Sequence, residues 1–207
     1  MNIKGSLIIV SAPSGTGKTS LVTALCGKLP KLQKSVSHTT RTMRVGETDG
    51  IHYNFVTDQQ FSTMMENDTF LEHAEVFQHS YGTSKDWVTA TLDRGIDVIL
   101  EIDWQGAQQI RRKMPDVISI FILPPSDTAL QQRLVNRKQD DHNKIAIRLD
   151  KAKIEVSHYN EYDYLIVNDD FDLALQQLIA IVTAIRLRVC RQKCLWQPLI
   201  DQICAKP

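Results

Sequence analysis

A parallel β-sheet with helices on both faces, carrying an inserted mixed α/β subdomain and a small helical lid, is the fold the sequence predicts. Three observations predict it. Apolar runs rich in Ile, Val and Leu recur between turn residues: "SLIIVS" (6–11), "DVILEI" (97–102), "VISIFIL" (117–123) and "DYLIVN" (163–168). They are apolar at both parities, the mark of a strand buried from both sides. Segments of helical period separate them, and strand–helix alternation implies parallel pairing. Residues 36–95 then break the alternation, which marks an insertion.

The elements follow in order. "KTSLVTALCGKL" (18–29) starts a helix directly after a small-residue loop, and "WQGAQQIRRKM" (104–114) follows the second apolar run. "SDTALQQRLVNR" (126–137) has Ser126 as an N-cap candidate, and "DLALQQLIAIVTAIRLRV" (172–189) predicts a long amphipathic C-terminal helix. Within 36–95 lie the β-like pieces "IHYNFV", "FLEHAEVF" and "HSYGTS" and a helical "DQQFSTMME". Residues 133–149, "RLVNRKQDDHNKIAIRL", form a charged helical stretch with little apolar face in its middle, the pattern of a flap.

Composition narrows the partners. The 207 residues carry 24 Lys+Arg against 24 Asp+Glu, so no bulk field draws the chain to nucleic acid or membrane. Anion binding must therefore come from a local cluster. No run approaches the roughly 18 apolar residues of a membrane span, and the N-terminal "MNIKGSLIIV" reads as a first strand rather than a signal peptide. Cys26, Cys190, Cys194 and Cys204 read as unpaired thiols of a reducing cytosol, although the four-residue spacing of Cys190 and Cys194 would suit half a metal site.

Residues 12–19, A-P-S-G-T-G-K-T, match the phosphate-loop pattern G-x-x-x-x-G-K-[ST], except that Ala12 takes the place of the first glycine. Such a loop turns backbone N–H groups onto an anion at a helix N-terminus. Gly15 and Gly17 permit the backbone turns this needs. Lys18 can reach outer phosphates, and Thr19 can offer its hydroxyl to Mg²⁺. A metal carboxylate is expected at a neighbouring strand end, where "DVILEIDWQG" supplies Glu101 and Asp103 on one strand face, one of them free to cap the next helix. Arg41 and Arg44, with Tyr53 shortly after, suit a phosphate monoester, since guanidinium offers a planar fork to two oxygens. The alternative is a solvated basic loop. His38, His52, His73 and His79 read as structural or surface groups.

The pattern S-x-T-T-R-x-x-R-x-G-E-x-(D/N)-G-x-x-Y (37–53), together with "FLEHAEVF", "YGTS" and "LEIDWQGA", resembles guanylate kinase. The likeness runs from "SAPSGTGK" to "LIVND". It implies a P-loop nucleoside-monophosphate-kinase fold and Mg²⁺-dependent transfer of the ATP γ-phosphoryl group to GMP or dGMP. The products would be GDP and ADP, in purine nucleotide metabolism of the cytoplasm. One domain, 1–207, is implied: a core of 1–35, 96–127 and 151–207, a GMP-binding subdomain 36–95 and a lid 128–150.

Residue by residue, the resemblance implies that ATP meets Ala12, Pro13, Ser14, Gly15, Thr16, Gly17, Lys18, Thr19 and Asn168. It implies that Arg41, Arg44, Tyr53 and Tyr81 hold the GMP phosphate, and that Ser37, Glu72, Thr83 and Asp103 meet guanine. Chemistry agrees: a carboxylate can accept from guanine N1–H and N2–H₂ while hydroxyls donate to O6. The resemblance further implies a catalytic set of Lys18, Arg41 and the lid arginines Arg133, Arg137 and Arg148, with Thr19 and Asp103 as metal ligands, directly or through water. Met43 stands where proline is frequent, Ser80 where tyrosine is, and Lys138 where glycine is, and these departures bear on loop stiffness, GMP affinity and lid motion. The competing readings are a non-catalytic guanylate-kinase-like interaction module and a kinase of another nucleoside monophosphate. Leu195, Trp196, Leu199 and Ile203 form an apolar set that packs on the core or on a second copy in a homo-oligomer.

Overall fold

The computed structural model describes residues 3–76, 78–136 and 142–205. Along the chain come β1 (Leu7–Ser11), α1 (Lys18–Lys28), β2 (Leu32–Lys34), β3 (His38–Thr39), β4 (Asn54–Phe55), α2 (Asp58–Glu66), β5 (Phe70–Val76), β6 (His79–Ser84) and α3 (Lys85–Asp93). There follow β7 (Asp97–Glu101), α4 (Trp104–Lys113), β8 (Ile118–Leu123), α5 (Asp127–Asn136), α6 (His142–Ser157), a 3-10 turn (Tyr159–Glu161), β9 (Tyr164–Val167), α7 (Phe171–Arg186) and α8 (Val189–Cys204).

The core sheet has the order β2-β7-β1-β8-β9, and its pairings are parallel. Both parities of β1 are buried, as its unbroken apolar run requires. Ile8 and Val10 join Leu21, Leu25, Leu178 and Val182 of α1 and α7 on one face, while Leu7 and Ile9 join Val88, Leu92 and Ile110 of α3 and α4 on the other. Two hydrophobic layers thus clamp one sheet. The ends of β1 and β7 lie side by side, with Val10 in register with Glu101, so the loops after both strands open at one edge. Ligands of open α/β sheets bind at that edge.

The segment 36–95 carries its own mixed sheet, β4-β3-β6-β5, with β3–β4 parallel and the other pairings antiparallel. Helix α4 holds this second sheet against the core. Gln109 exchanges two hydrogen bonds with the backbone of His73, at 3.2 and 2.6 Å, and Lys113 Nζ donates to the Leu71 carbonyl at 2.7 Å. Ser126 caps α5 as expected, accepting from the Ala129 N–H at 3.1 Å. Helix α5 packs through Leu130 and Leu134 on Ala152 of α6, forming a small third core.

Three findings differ from the sequence expectation. A fifth core strand, β2, lies at the sheet edge; it is three residues long and only Leu32 is buried, so no apolar run announces it. Helix α6 runs uninterrupted past position 150, the expected boundary between lid and core. The C-terminal helix bends by 49° between α7 and α8. The apolar set of α8 is exposed, Trp196 and Leu199 included. The four cysteines are free thiols.

Candidate active site

The phosphate loop joins β1 to α1. Gly15 (φ 92) and Gly17 (φ 93) adopt left-handed backbone, which side chains resist. The left-handed non-glycine residues among those described are Lys31, Asp68 and Gln78, so Ala12 fits its position without the freedom of glycine. Behind the loop, Thr16 is buried and its hydroxyl donates to the Pro13 carbonyl at 2.7 Å. The Thr16 carbonyl in turn receives Asn168 Nδ2 at 2.7 Å and Arg133 Nη1 at 3.3 Å, and Arg133 Nη2 donates to the Asn168 carbonyl at 3.1 Å. Asn168 and Arg133 therefore brace the loop from its far side. The resemblance assigns Asn168 to adenine and Arg133 to the transferring group, and neither side chain is among those lining the cleft.

The cleft in front of the loop is lined by Ala12, Pro13, Ser14, Gly15, Gly17, Lys18 and Thr19. Glu101, rather than Asp103, is the carboxylate joined to this half. Its Oε1 accepts the Thr19 hydroxyl and lies 4.0 Å from Lys18 Nζ, while its Oε2 lies 3.7 Å from Lys34 Nζ. Asp103 instead caps α4: Oδ1 accepts the Gly106 N–H at 3.1 Å, and Oδ2 accepts from Gln105 at 3.1 Å. The spacing had left open which of the two would cap, and the local geometry separates them. Glu101 closes a strand beside the loop, whereas Asp103 stands at the helix start.

The other half of the same cleft is lined by Ser37, Arg41, Arg44, Tyr53, Glu72, Tyr81 and Asp103. Tyr53 and Tyr81 meet edge to face with ring centroids 5.8 Å apart, and the Arg41 guanidinium lies 5.3 Å from the Tyr53 ring centre. Arg41 is buried and donates to Glu47 at 2.7 Å. Burial works against its charge, but the hydrogen bond and charge of Glu47 outweigh it and hold the guanidinium above its ordinary pKa. The second Glu47 oxygen accepts the Arg44 N–H at 2.8 Å. Glu47 therefore ties both arginines into one loop, a stiffening that does not depend on proline at Met43. No periodicity singles Glu47 out; its signal was the glutamate of the R-x-G-E segment.

Glu72 lies deepest. It is 3% exposed, and burial pushes its carboxyl up to about 7 although the Thr83 hydroxyl, donating at 2.5 Å, favours the anion. Thr83 is fully buried and commits its proton to Glu72, so it orients the carboxylate. Ser80, beside Tyr81, donates its N–H to Thr40. Two of the four histidines make structural contacts: His38 packs edge-on against Phe70, and His52 accepts the Thr48 N–H.

Arg148 and Glu155 of α6 also line the cleft. Burial pushes the Glu155 carboxyl up to about 7, against the charge of Lys18. Arg137 and Lys138 lie outside the described residues.

A phosphate cradle facing an arginine, tyrosine and carboxylate pocket across one cleft is the layout of a phosphotransferase acting on a nucleoside monophosphate. Comparison with known proteins gives the family. The guanylate kinase family profile matches residues 4–185. Guanylate kinase of Saccharophagus degradans is 55% identical over 98% of this chain and 99% of its own length. That of Alcanivorax borkumensis is 59% identical over 91% of both. Among solved structures, guanylate kinase from Anaplasma phagocytophilum superposes with a TM-score of 0.77 at 35% identity, covering 92% of this chain and 91% of that one. The chain belongs to the guanylate kinase family.

Proposed function

We propose that this chain transfers the γ-phosphoryl group of ATP to GMP, giving ADP and GDP, with Mg²⁺ bound to the triphosphate. The observation that carries this reading is that one cleft holds both the glycine loop with Lys18 and the buried Glu72 with Ser37. The loop amides and Lys18 hold the β- and γ-phosphates, and Lys18 follows the charge that develops on transfer. The Thr19 hydroxyl and the Glu101 carboxylate meet as an all-oxygen pair, which fits a hard divalent cation directly or through water. Held by these two oxygens, Mg²⁺ would supply charge neutralisation to the phosphates.

On the acceptor side, Arg41 and Arg44 fork onto the GMP phosphate beside the Tyr53 and Tyr81 hydroxyls, with Arg41 held in place by Glu47. Guanine N1–H and N2–H₂ donate to Glu72, and Ser37 donates to O6. Thr83 keeps the carboxylate aimed, and Asp103 stands at the base-facing start of α4. Adenine lacks that donor pair and would leave Glu72 unpaired, which costs roughly 1–3 kcal/mol or more. Arg148, and Arg137 with it, gathers on the transferring group and excludes water. Residues 36–95 and 128–150 act as the acceptor-binding subdomain and the lid.

Replacing Lys18 by Ala tests the donor half. Turnover is expected to fall by about 100-fold or more, the scale of losing one transition-state donor, while thermal unfolding stays at the parental temperature. A near-parental rate would overturn the assignment of the phosphate loop.

A further inference from the structure

Four carboxylates line the cleft, and three have a partner that accounts for them. Glu72 has Thr83, Glu101 has Thr19, and Asp103 has the first turn of α4. Glu155 remains. Its Oε2 is buried and accepts no hydrogen bond. The positive groups acting on it are the ammonium of Lys18, that of Lys151 on its own helix, and the backbone N–H of Ser14, against the negative charge of Asp103. Lys18 and Ser14 belong to the phosphate loop and line the same cleft as Glu155, and both are groups a triphosphate uses. A carboxylate facing them competes with phosphate oxygens for the same partners.

Glu155 stands seven residues after Arg148 on α6, two turns along one helical face, and both side chains reach the cleft. The C-terminal end of α6 is anchored on α4. His158 stacks on Trp104 with ring centroids 3.9 Å apart, and Glu161 gathers His158, Gln108 and Arg111. A push on Glu155, three residues before that anchor, is carried along the helix to Arg148.

We propose that Glu155 is a positioning residue: it yields the Ser14 N–H and Lys18 to the triphosphate, and its displacement turns α6 so that Arg148 meets the transferring phosphoryl group. The inference rests on the phosphate-loop reading above. It makes ATP binding do work on the lid, so part of the binding free energy appears as catalysis rather than affinity.

Glu155→Gln keeps the shape and removes the charge. In calorimetric titrations with a non-hydrolysable ATP analogue, the variant is expected to bind about three- to tenfold more tightly than the parent. The gain should be smaller for ADP, which carries less charge, and GMP affinity should not change. In steady state the variant should lower kcat and the ATP KM together, the sign that strain between enzyme and substrate has been relieved. Glu155→Ala should tighten the analogue in the same direction, so the result does not hang on one substitution. Unchanged or weaker analogue binding, or a shift shared equally by GMP, would overturn the proposal. A parent protein that fails to bind the analogue at all would instead contradict the phosphate-loop reading, so the two failures are distinguishable.

Discussion

Burial moves the Glu72 carboxyl from 4.5 to about 7, so the fold favours its protonated form while the proposed guanine recognition needs the anion. The stabilisation this group contributes is complete below about 4.5 and is lost as pH rises through about 7. GMP affinity runs the other way, strengthening as pH climbs to about 7 and levelling above it. Glu72→Gln should therefore raise the melting temperature at pH 8 and flatten part of its fall between 4.5 and 7, with Glu155 keeping the remainder. The same change should raise the GMP KM about tenfold or more and leave the ATP KM alone, since a charge-assisted pair is lost. Equal effects on both nucleotides would contradict a base-reading role. At this scale residue type pointed to Arg41, Arg44 and Tyr53, whereas Glu72 and Tyr81 were singled out by the family resemblance alone; all five line the cleft. What stayed hidden were choices of orientation. Glu101 and Asp103 share a strand face in sequence, and only the capping of α4 parts them. Thr83 gives its one hydroxyl proton to Glu72, and Arg133 and Asn168 both donate to the Thr16 carbonyl of the loop.

Helix α4 is the element that carries the acceptor pocket to the phosphate loop. Its first turn comes so close to Glu72 that a Cβ on Gly106 would lie 2.4 Å from Glu72 Oε2. Alanine suits a helix interior better than glycine by about 0.8–1 kcal/mol, yet here its methyl must push the carboxylate off its line. Gly106→Ala should accordingly raise the GMP KM about tenfold, an oxygen shift of the kind that misaligns a charge-assisted pair, without changing the ATP KM. A parental GMP KM in that variant would show that α4 does not aim Glu72. Among the elements, the long apolar strands were readable because burial on both faces leaves an unbroken hydrophobic run. The short ones were not: β2 has three residues and β3 two, too few for a period to register. The reach of α6 past position 150 was likewise invisible, since the charged stretch 133–149 reads as a flap while the far end of the helix docks through His158 on Trp104.

Across the whole molecule, rigidity and adjustability lie at opposite edges of one sheet. At the edge away from the loops, Asp97 is buried and accepts from the Ser6 N–H, Arg186 Nε and Arg191 Nη1, each at 2.7 Å, fastening α7 and α8 to the start of β7 and to the residue before β1. At the other edge, the phosphate loop, the inserted mixed sheet and α6 face one another across the cleft. A chain of zero net charge thus gathers its phosphate loop, arginines and tyrosines in one cleft, and the proposed selectivity rests on Glu72 rather than on bulk charge. The central claim is that two separate pockets in this cleft divide the labour, one holding a triphosphate by its backbone and the other admitting a purine by its paired donors. The most direct test is a coupled assay of the full chain with ATP and GMP, dGMP, AMP or UMP as acceptor. GMP should exceed AMP in kcat/KM by about 100-fold or more, the discrimination expected when a buried acceptor is left unpaired. Comparable turnover of AMP and GMP would contradict the account.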